Sequence, residues 1–372
     1  MNSWQRPSNP WTEERNPDNM KISCYSNYKS LTCHWIIMKH LSVDFPPRIS
    51  LSGPSPLIPL ERLSAVLGLD IFIKREDLGA IGGGGNKLRK LECLVAEANA
   101  RGCDTLITFG ALQSNHARMV AAVAARQGLN CELVLSRKVP RQGLHYEQGG
   151  NLALDRIFGA SLHVLSANED AIAFAGMRAG KLAAEGHEAY IIPFGGSDAL
   201  GAIAYSDCVR ELLEQARNIG IDFDHLYHGS GSGGTQAGLV LGAELYASNV
   251  LVQGISVLHQ EAPLTAIVEE ILKKARDRLG VNAPDAVSPI LVDSAFVGPG
   301  YGIPDARTLE AIEVMARTEG VILDPVYTGK AFAGLLDHVR RGRVKKGEKI
   351  VFLHTGGVPG LFAYADAFGP AV

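Results

Sequence analysis

From Ile71 onward, short apolar and β-branched runs alternate with longer segments of helical period, and few folds accept such a chain. Residues 70–74 (Asp-Ile-Phe-Ile-Lys) read as a strand. Residues 87–100 read as a helix, because Leu88, Leu91, Leu94, Val95 and Ala98 share one face and Gly102 ends the run. The cycle repeats with strands at 105–109, 131–135, 162–165 and 189–193. Helices are predicted over 114–127, around Leu152 and over 168–184. A second series places strands at 224–227, 251–257, 290–292 and 349–353, and helices at 235–246, 263–279, 305–318 and 329–340. Alternation of this kind implies parallel sheets covered by helices on both faces, an α/β architecture. Two series imply two open, twisted, mostly parallel α/β domains with a cleft between them. Ligands of such sheets sit at the carboxyl ends of strands, in the loops that lead into helices.

The chain has 372 residues, enough for one or two domains, and its 46% hydrophobic content allows a sizeable core. A net charge of -3 disfavours a general nucleic-acid binder. The six cysteines form no Cys-x-x-Cys pair, which fits a reduced cytoplasmic setting better than a disulfide framework or a zinc site. No apolar run reaches the roughly 20 residues that span a bilayer. Residues 1–30 are rich in Asn, Pro, Ser and charge, and residues 1–40 read as a disordered extension. Met38 is an alternative start, since the patterned sequence begins just after it.

The glycines fall where strands lead into helices. Gly229-Ser-Gly-Ser-Gly-Gly-Thr-Gln-Ala-Gly238 combines inward-turning backbone N–H groups, a helix N-terminus and hydroxyls on Ser230, Ser232 and Thr235. That combination suits a single phosphate. The same stretch matches Gly-x-Gly-x-x-Gly, yet the next strand ends near Leu258 without the ribose-binding acid of a dinucleotide site, and Glu261 comes too late. A tight strand–helix turn with no ligand is the plain alternative. A third loop, Gly110-Ala-Leu-Gln-Ser-Asn-His116, opens a helix. Ser114 or Asn115 serves there as an N-cap, and the same N–H groups suit a carboxylate. A fourth, His354-Thr-Gly-Gly357, presents Thr355 at a strand end.

Gly82-Gly-Gly-Gly-Asn-Lys-Leu-Arg-Lys90 delivers Lys87 on a flexible loop. Such a lysine is a surface charge, a phosphate clamp or a Schiff-base nucleophile. Asn86 and Leu88 stand where a P-loop needs Gly and Ser or Thr, which disfavours a nucleoside triphosphatase. His228 and His354 flank glycine loops without a second ligand at metal spacing and read as structural, so no metal is expected. Lys330 reads as part of a helix's first turn, and residues 340–346 as a solvated basic turn.

A lysine loop, a Gln-Ser-Asn turn and a glycine-rich cup in this order resemble the fold-type II enzymes that use pyridoxal 5′-phosphate (PLP). More closely, the chain resembles the family of 1-aminocyclopropane-1-carboxylate (ACC) deaminases and D-cysteine desulfhydrases. The segments that carry this are Phe72-Ile-Lys-Arg-Glu-Asp77, Gly84-Gly-Asn-Lys-Leu-Arg-Lys-Leu-Glu92, Gln113-Ser-Asn-His116, Ser232-Gly-Gly-Thr-Gln236, Gly298-Pro-Gly-Tyr-Gly302, Asp324-Pro-Val-Tyr-Thr-Gly-Lys330 and His354-Thr-Gly-Gly357. They run from about Pro46 to Tyr364. The resemblance implies PLP as cofactor and a small amino acid as substrate. It also implies a homodimer, with a large PLP-binding domain from 41–90 and 201–372 and a small α/β domain from 91–200.

The resemblance assigns Lys87 the covalent link to the cofactor. Asn86, Asn115, Gly231, Ser232, Gly233, Gly234, Thr235, Thr328 and Thr355 surround the cofactor, with Asn115 as partner of its 3′-oxygen. Ser114, Asn115, His116 and Tyr301 face the substrate, and Ser114, Tyr301 and Tyr327 join Lys87 as catalytic. ACC deaminases carry Glu and Leu where this chain has Thr328 and Thr355, a pair that resembles the D-cysteine desulfhydrases. A carboxylate at the pyridine nitrogen strengthens the electron sink, and opening a cyclopropane demands more of that sink than α-proton removal followed by loss of sulfide. The expected activity is therefore α,β-elimination from D-cysteine. ACC deamination, L-cysteate or β-chloro-D-alanine cleavage on the same framework is the alternative. Outside this class stand a non-catalytic PLP-binding protein, opposed by the intact Lys87 and tyrosines, and an NAD-dependent oxidoreductase, opposed by the missing acid.

Overall fold

The computed structural model describes residues 44–281 and 287–369. The extension over 1–40 and the alternative start at Met38 lie outside the described residues. Ten strands form two sheets. β1 (Leu57–Pro59), β2 (Asp70–Arg75), β7 (His225–Ser230), β8 (Leu251–Ser256), β9 (Leu291–Asp293) and β10 (Lys349–His354) form a six-stranded sheet in the order β1-β2-β10-β7-β8-β9. β3 (Thr105–Ala111), β4 (Asn130–Ser136), β5 (Ser161–Leu165) and β6 (Ala189–Ile192) form a four-stranded sheet in the order β5-β4-β3-β6. Every pairing is parallel except that of the short β1 with β2.

These orders fix where a ligand can sit. In the small sheet the chain steps outward from β3 to β4 and β5, then crosses to lay β6 on the other side of β3. In the large sheet it steps from β7 to β8 and β9, then crosses to lay β10 on the other side of β7. Each crossing splits the loops at the strands' carboxyl ends to opposite faces and leaves a crevice there.

The strands in the middle of each sheet are buried, as expected for sheets covered on both faces. The longest helix, Ala199–Asn218, carries no clear one-sided apolar stripe in the sequence. Its first turns, Leu200 to Ser206, are buried on every side, and exposed residues appear only toward its end. A helix buried all round shows no amphipathic period.

The charged residues of the Phe72–Asp77 and Lys87–Glu92 segments are largely structural. Arg89 bridges Glu76 and Glu211 at 2.8 Å each, and Lys74 also pairs with Glu211. This network ties β2, the Lys87–Ala100 helix and the Ala199–Asn218 helix beneath the lysine loop. Removing one member of a buried network typically costs about 3–5 kcal/mol, because its partner is left uncompensated.

Candidate active site

One cavity receives the loops from both crossing points. β3 leads to Ser114, Asn115 and His116, and β6 to Phe194 and Gly195. β7 leads to residues 229–233, and β10 to Thr355. Asn86, Lys87, Thr235 and Tyr327 complete its wall.

Lys87 opens the Lys87–Ala100 helix at the end of the glycine run. Its Nζ donates to Asn86 Oδ1 at 2.9 Å, and Asn86 Nδ2 donates to Thr235 Oγ1 at 2.9 Å. The Asn86 N–H donates to the Thr355 carbonyl at 3.0 Å. Asn86 thus ties the lysine to both large-sheet loops. Burial, and after it the positive charge of Arg118, lower the Lys87 amine to about 8, with Asp324 opposing. The lowered pKa makes the uncharged form, which a nucleophile or base requires, far more accessible near neutral pH than in a solvated lysine.

Most of the glycine run after β7 meets the cavity. Gly231, Ser232, Gly233 and Thr235 line the cavity. Gly233 sits at φ +79, and a Cβ there would lie 2.8 Å from Ile267 Cγ2, so glycine is required. Gly234 does not line the cavity. It begins the Gly234–Leu245 helix, and its N–H donates to Ser197 Oγ at 3.3 Å. Ser197 Oγ also lies 2.7 Å from Ser232 Oγ.

On the facing side, Ser114 is the N-cap of the Asn115–Gln127 helix, its Oγ accepting from the Ala117 N–H at 3.1 Å. That bond uses a lone pair and leaves the hydroxyl proton available. His116 Nε2 lies 3.0 Å from Thr108 Oγ1, whose proton goes to the Ile192 carbonyl. Nε2 must therefore be the donor, and Nδ1 is a lone pair with no partner among the described residues. Burial, then the charges of Lys87 and Lys90, hold this imidazole well below its usual pKa and neutral.

The two tyrosines meet: Tyr301 Oη and Tyr327 Oη are 2.6 Å apart, with rings edge to face. Burial raises both phenols above their usual range, so both stay protonated. Tyr327 lines the cavity and Tyr301 stands behind it. The two threonines separate. Thr355 lines the cavity, whereas Thr328 is fully buried away from it. The Thr328 hydroxyl donates to Asp324 Oδ1 at 2.6 Å and accepts from the Asp324 N–H at 2.7 Å. In this arrangement the hydroxyl proton of Thr328 and one of its lone pairs are held by Asp324.

Several neighbours went unassigned from sequence. Lys90, 1% exposed, reaches the Gly195 carbonyl at 3.2 Å and Ser197 Oγ at 3.3 Å, beside the cup. Its i, i+3 spacing from Lys87 was the available signal. Lys330 is also buried, and its Nζ donates to the carbonyls of Val297 and Gly300 at 2.6 and 2.9 Å, pinning the loop that carries Tyr301. It lies in the first turn of the Thr328–Arg340 helix, as read from the sequence, and acts there as a clamp. Nothing in the sequence singles out Ser197, Phe194 or Asp324 by pattern alone.

The cavity fits PLP. Ser230 lines it and carries a buried Oγ with no partner among the described residues, and the loop that follows runs into the N-terminus of the Gly234–Leu245 helix, a setting suited to a phosphate. A buried amine of lowered pKa stands opposite. Among the described residues no group of three His, Cys, Asp or Glu side chains is arranged to hold a metal, and no helix is long and apolar enough to cross a membrane.

The chain belongs to the pyridoxal-phosphate dependent enzyme family, whose model matches residues 50–356. Its architecture is that of the fold-type II members, and its cofactor is PLP. Among individual proteins, it is 42% identical to the D-cysteine desulfhydrase of Serratia proteamaculans over 319 residues, 86% of this chain and 96% of that one. It is equally identical to the Salmonella typhi D-cysteine desulfhydrase over 323 residues, with the same coverage. A solved structure described as an ACC deaminase homologue superposes with a TM-score of 0.78 at 36% identity, covering 90% of this chain and 97% of that one. A hydrogen sulfide-producing enzyme of Fusobacterium nucleatum superposes at 0.58 with 18% identity, covering 83% and 97%, and shares the fold.

Proposed function

We infer that this protein is a PLP-dependent carbon–sulfur lyase that converts D-cysteine and water to pyruvate, hydrogen sulfide and ammonia. The observation that carries the substrate reading is the neutral wall of the cavity. Among the described residues no Asp or Glu lines it, and Thr355 is part of that wall. The nearby Asp324 is fully engaged by the N–H groups of Val326, Tyr327 and Thr328. A neutral wall suits proton removal followed by loss of a good leaving group, the easier demand on the cofactor.

When bound, PLP supplies the electron sink that lets an α-proton leave. The loop from Ser230 to Gly233, with Thr235, would hold its phosphate; Lys87 would attach it; Asn115 would meet its 3′-oxygen, and Thr355 would stand beside its ring. Lys90 and Ser197 support the cup from behind. The Ser114 hydroxyl and the N-terminus of the Asn115–Gln127 helix hold the substrate carboxylate. His116 stays neutral beside the substrate. The Lys87 amine takes the α-proton at Nζ. The hydrogen-bonded tyrosines hold a proton at Tyr327 Oη for the departing sulfur, and Tyr301 orients that hydroxyl.

This reading takes the protein to be a cytoplasmic homodimer. Cys93, Cys103, Cys131 and Cys208 are buried free thiols, which a reducing compartment preserves. The test is one panel in which holoenzyme is given D-cysteine, L-cysteine, L-cysteate, β-chloro-D-alanine and ACC while keto acid, ammonia and sulfide are followed. Pyruvate and sulfide in equal amounts from D-cysteine, at the highest kcat/KM of the set, are expected. Faster keto-acid release from ACC would overturn the assignment.

A further inference from the structure

Asn115 reaches the cavity with one end of its amide only, and the structure determines which end. Gln113 Nε2 donates to two backbone carbonyls, Tyr146 at 2.6 Å and Gly149 at 3.0 Å, so its Oε1 must point the other way. There it accepts the Asn151 N–H at 2.9 Å. The Asn151 side chain, fully buried, donates through Nδ2 to the Gln113 carbonyl at 2.9 Å. A carbonyl only accepts, so the orientation of Asn151 is fixed as well. The same Nδ2 lies 2.8 Å from Asn115, and the atom it meets must be Oδ1. Asn115 Nδ2 is left for the cavity.

The arrangement is tightly enclosed. Gly150, at φ +57, brings the Gly150–Ile157 helix against Gln113, and a Cβ there would lie 2.5 Å from Gln113 Oε1. The backbone of Gly360 covers the Asn151–Asn115 bond, since a Cβ at 360 would lie 3.4 Å from Asn151 Nδ2 and 3.8 Å from Asn115 Oδ1. Asn151 Oδ1 has no partner among the described residues, so the side chain keeps this orientation at the cost of one unmet acceptor.

We propose that Asn151 is a positioning residue that sets the hydrogen-bond polarity of Asn115, so that a donor rather than an acceptor faces the cofactor's 3′-oxygen. The proposal rests on the reading of Asn115 as a cofactor contact. A donor at that point favours the anionic 3′-oxygen, and an acceptor opposes it. Substituting Asn151 acts without touching the cofactor, by letting the Asn115 amide turn over.

The experiment uses cofactor-free protein titrated with PLP, with the dissociation constant read from fluorescence and the ionisation of the 3′-oxygen from absorption against pH. Asn115→Ala and Asn151→Asp should each weaken PLP binding roughly ten- to a hundredfold, the loss of one hydrogen bond to a charged group. Each should also move the 3′-oxygen titration to higher pH. The double variant should be no worse than Asn115→Ala alone. Asn151→Ala, a milder change, keeps the test open if Asn151→Asp does not fold, and should shift both readouts in the same direction. Wild-type affinity and titration in Asn115→Ala would overturn the reading of Asn115 and the proposal with it. Normal behaviour of the Asn151 variants beside a defective Asn115→Ala, or losses that multiply in the double variant, would overturn the proposal alone.

Discussion

The loop after β7 meets the cavity mainly with backbone and small hydroxyls, whereas the loop after β3 meets it with side chains. Gly231, Ser232 and Gly233 line it with two residues that have no side chain and one small hydroxyl. Ser114, Asn115 and His116 present a hydroxyl, an amide and an imidazole, each with its polarity set by a hydrogen bond on its far side. The difference follows from what each side must recognise. A phosphate is a symmetric anion that any convergent set of N–H groups can hold. A ring and an amino-acid substrate need a donor or acceptor at one defined point. Lys87 lies at the junction, tied by Asn86 to the large-sheet loops and tuned by Arg118 from the helix after β3.

The largest expected effect is at that junction. Lys87→Ala should lower kcat by roughly 10²–10⁴-fold or more, the contribution of a positioned base, and abolish the protein-linked absorption band. Undiminished pyruvate release from D-cysteine would remove Lys87 from the mechanism.

The second test divides the large-sheet side into what faces the cavity and what supports it. Thr328→Val should cost about 1–3 kcal/mol of stability, because the buried Asp324 loses its hydroxyl partner, and leave the cofactor spectrum in place. Thr355→Val should leave stability within about 0.5 kcal/mol and shift the cofactor spectrum. Denaturant unfolding and absorption measured on both variants check the contrast, and reversed outcomes would return Thr328 to the cofactor.

The smallest expected effect runs across the cleft. An amine with its pKa lowered to about 8 is mostly protonated below that pH and free above it. The rate at which cofactor-free protein takes up PLP should therefore rise as pH passes about 8 and level off above. Arg118 is the second cause of the depression, after burial. Arg118→Met should accordingly shift the midpoint to higher pH in a stopped-flow series. An unmoved midpoint would mean that burial alone tunes Lys87.

Much of the fold was legible because its signals are local. The Lys87–Ala100 helix follows from five apolar residues on one face, and the cup follows from glycines placed between a strand and a helix. The Ala199–Asn218 helix escaped because burial on all sides of its first turns erases the period. Thr328 and Thr355 look alike as substitutions within two motifs. Only the turn around Asp324 shows that one is a structural cap and the other a wall of the cavity.

By itself the sequence determined the βα alternation, the glycine turns between strands and helices, the lysine and the family, since each depends on residues close in the chain or on an ordered set of motifs. Tertiary structure alone decided the rest. The insertion of β6 beside β3 and of β10 beside β7 brings four loops, far apart in sequence, to one cavity. The polarity of Asn115 and the orientation of His116 depend on partners from other elements, Asn151 and Thr108. A hydrogen bond's direction is a property of the pair, and no reading along the chain identifies the partner before it folds.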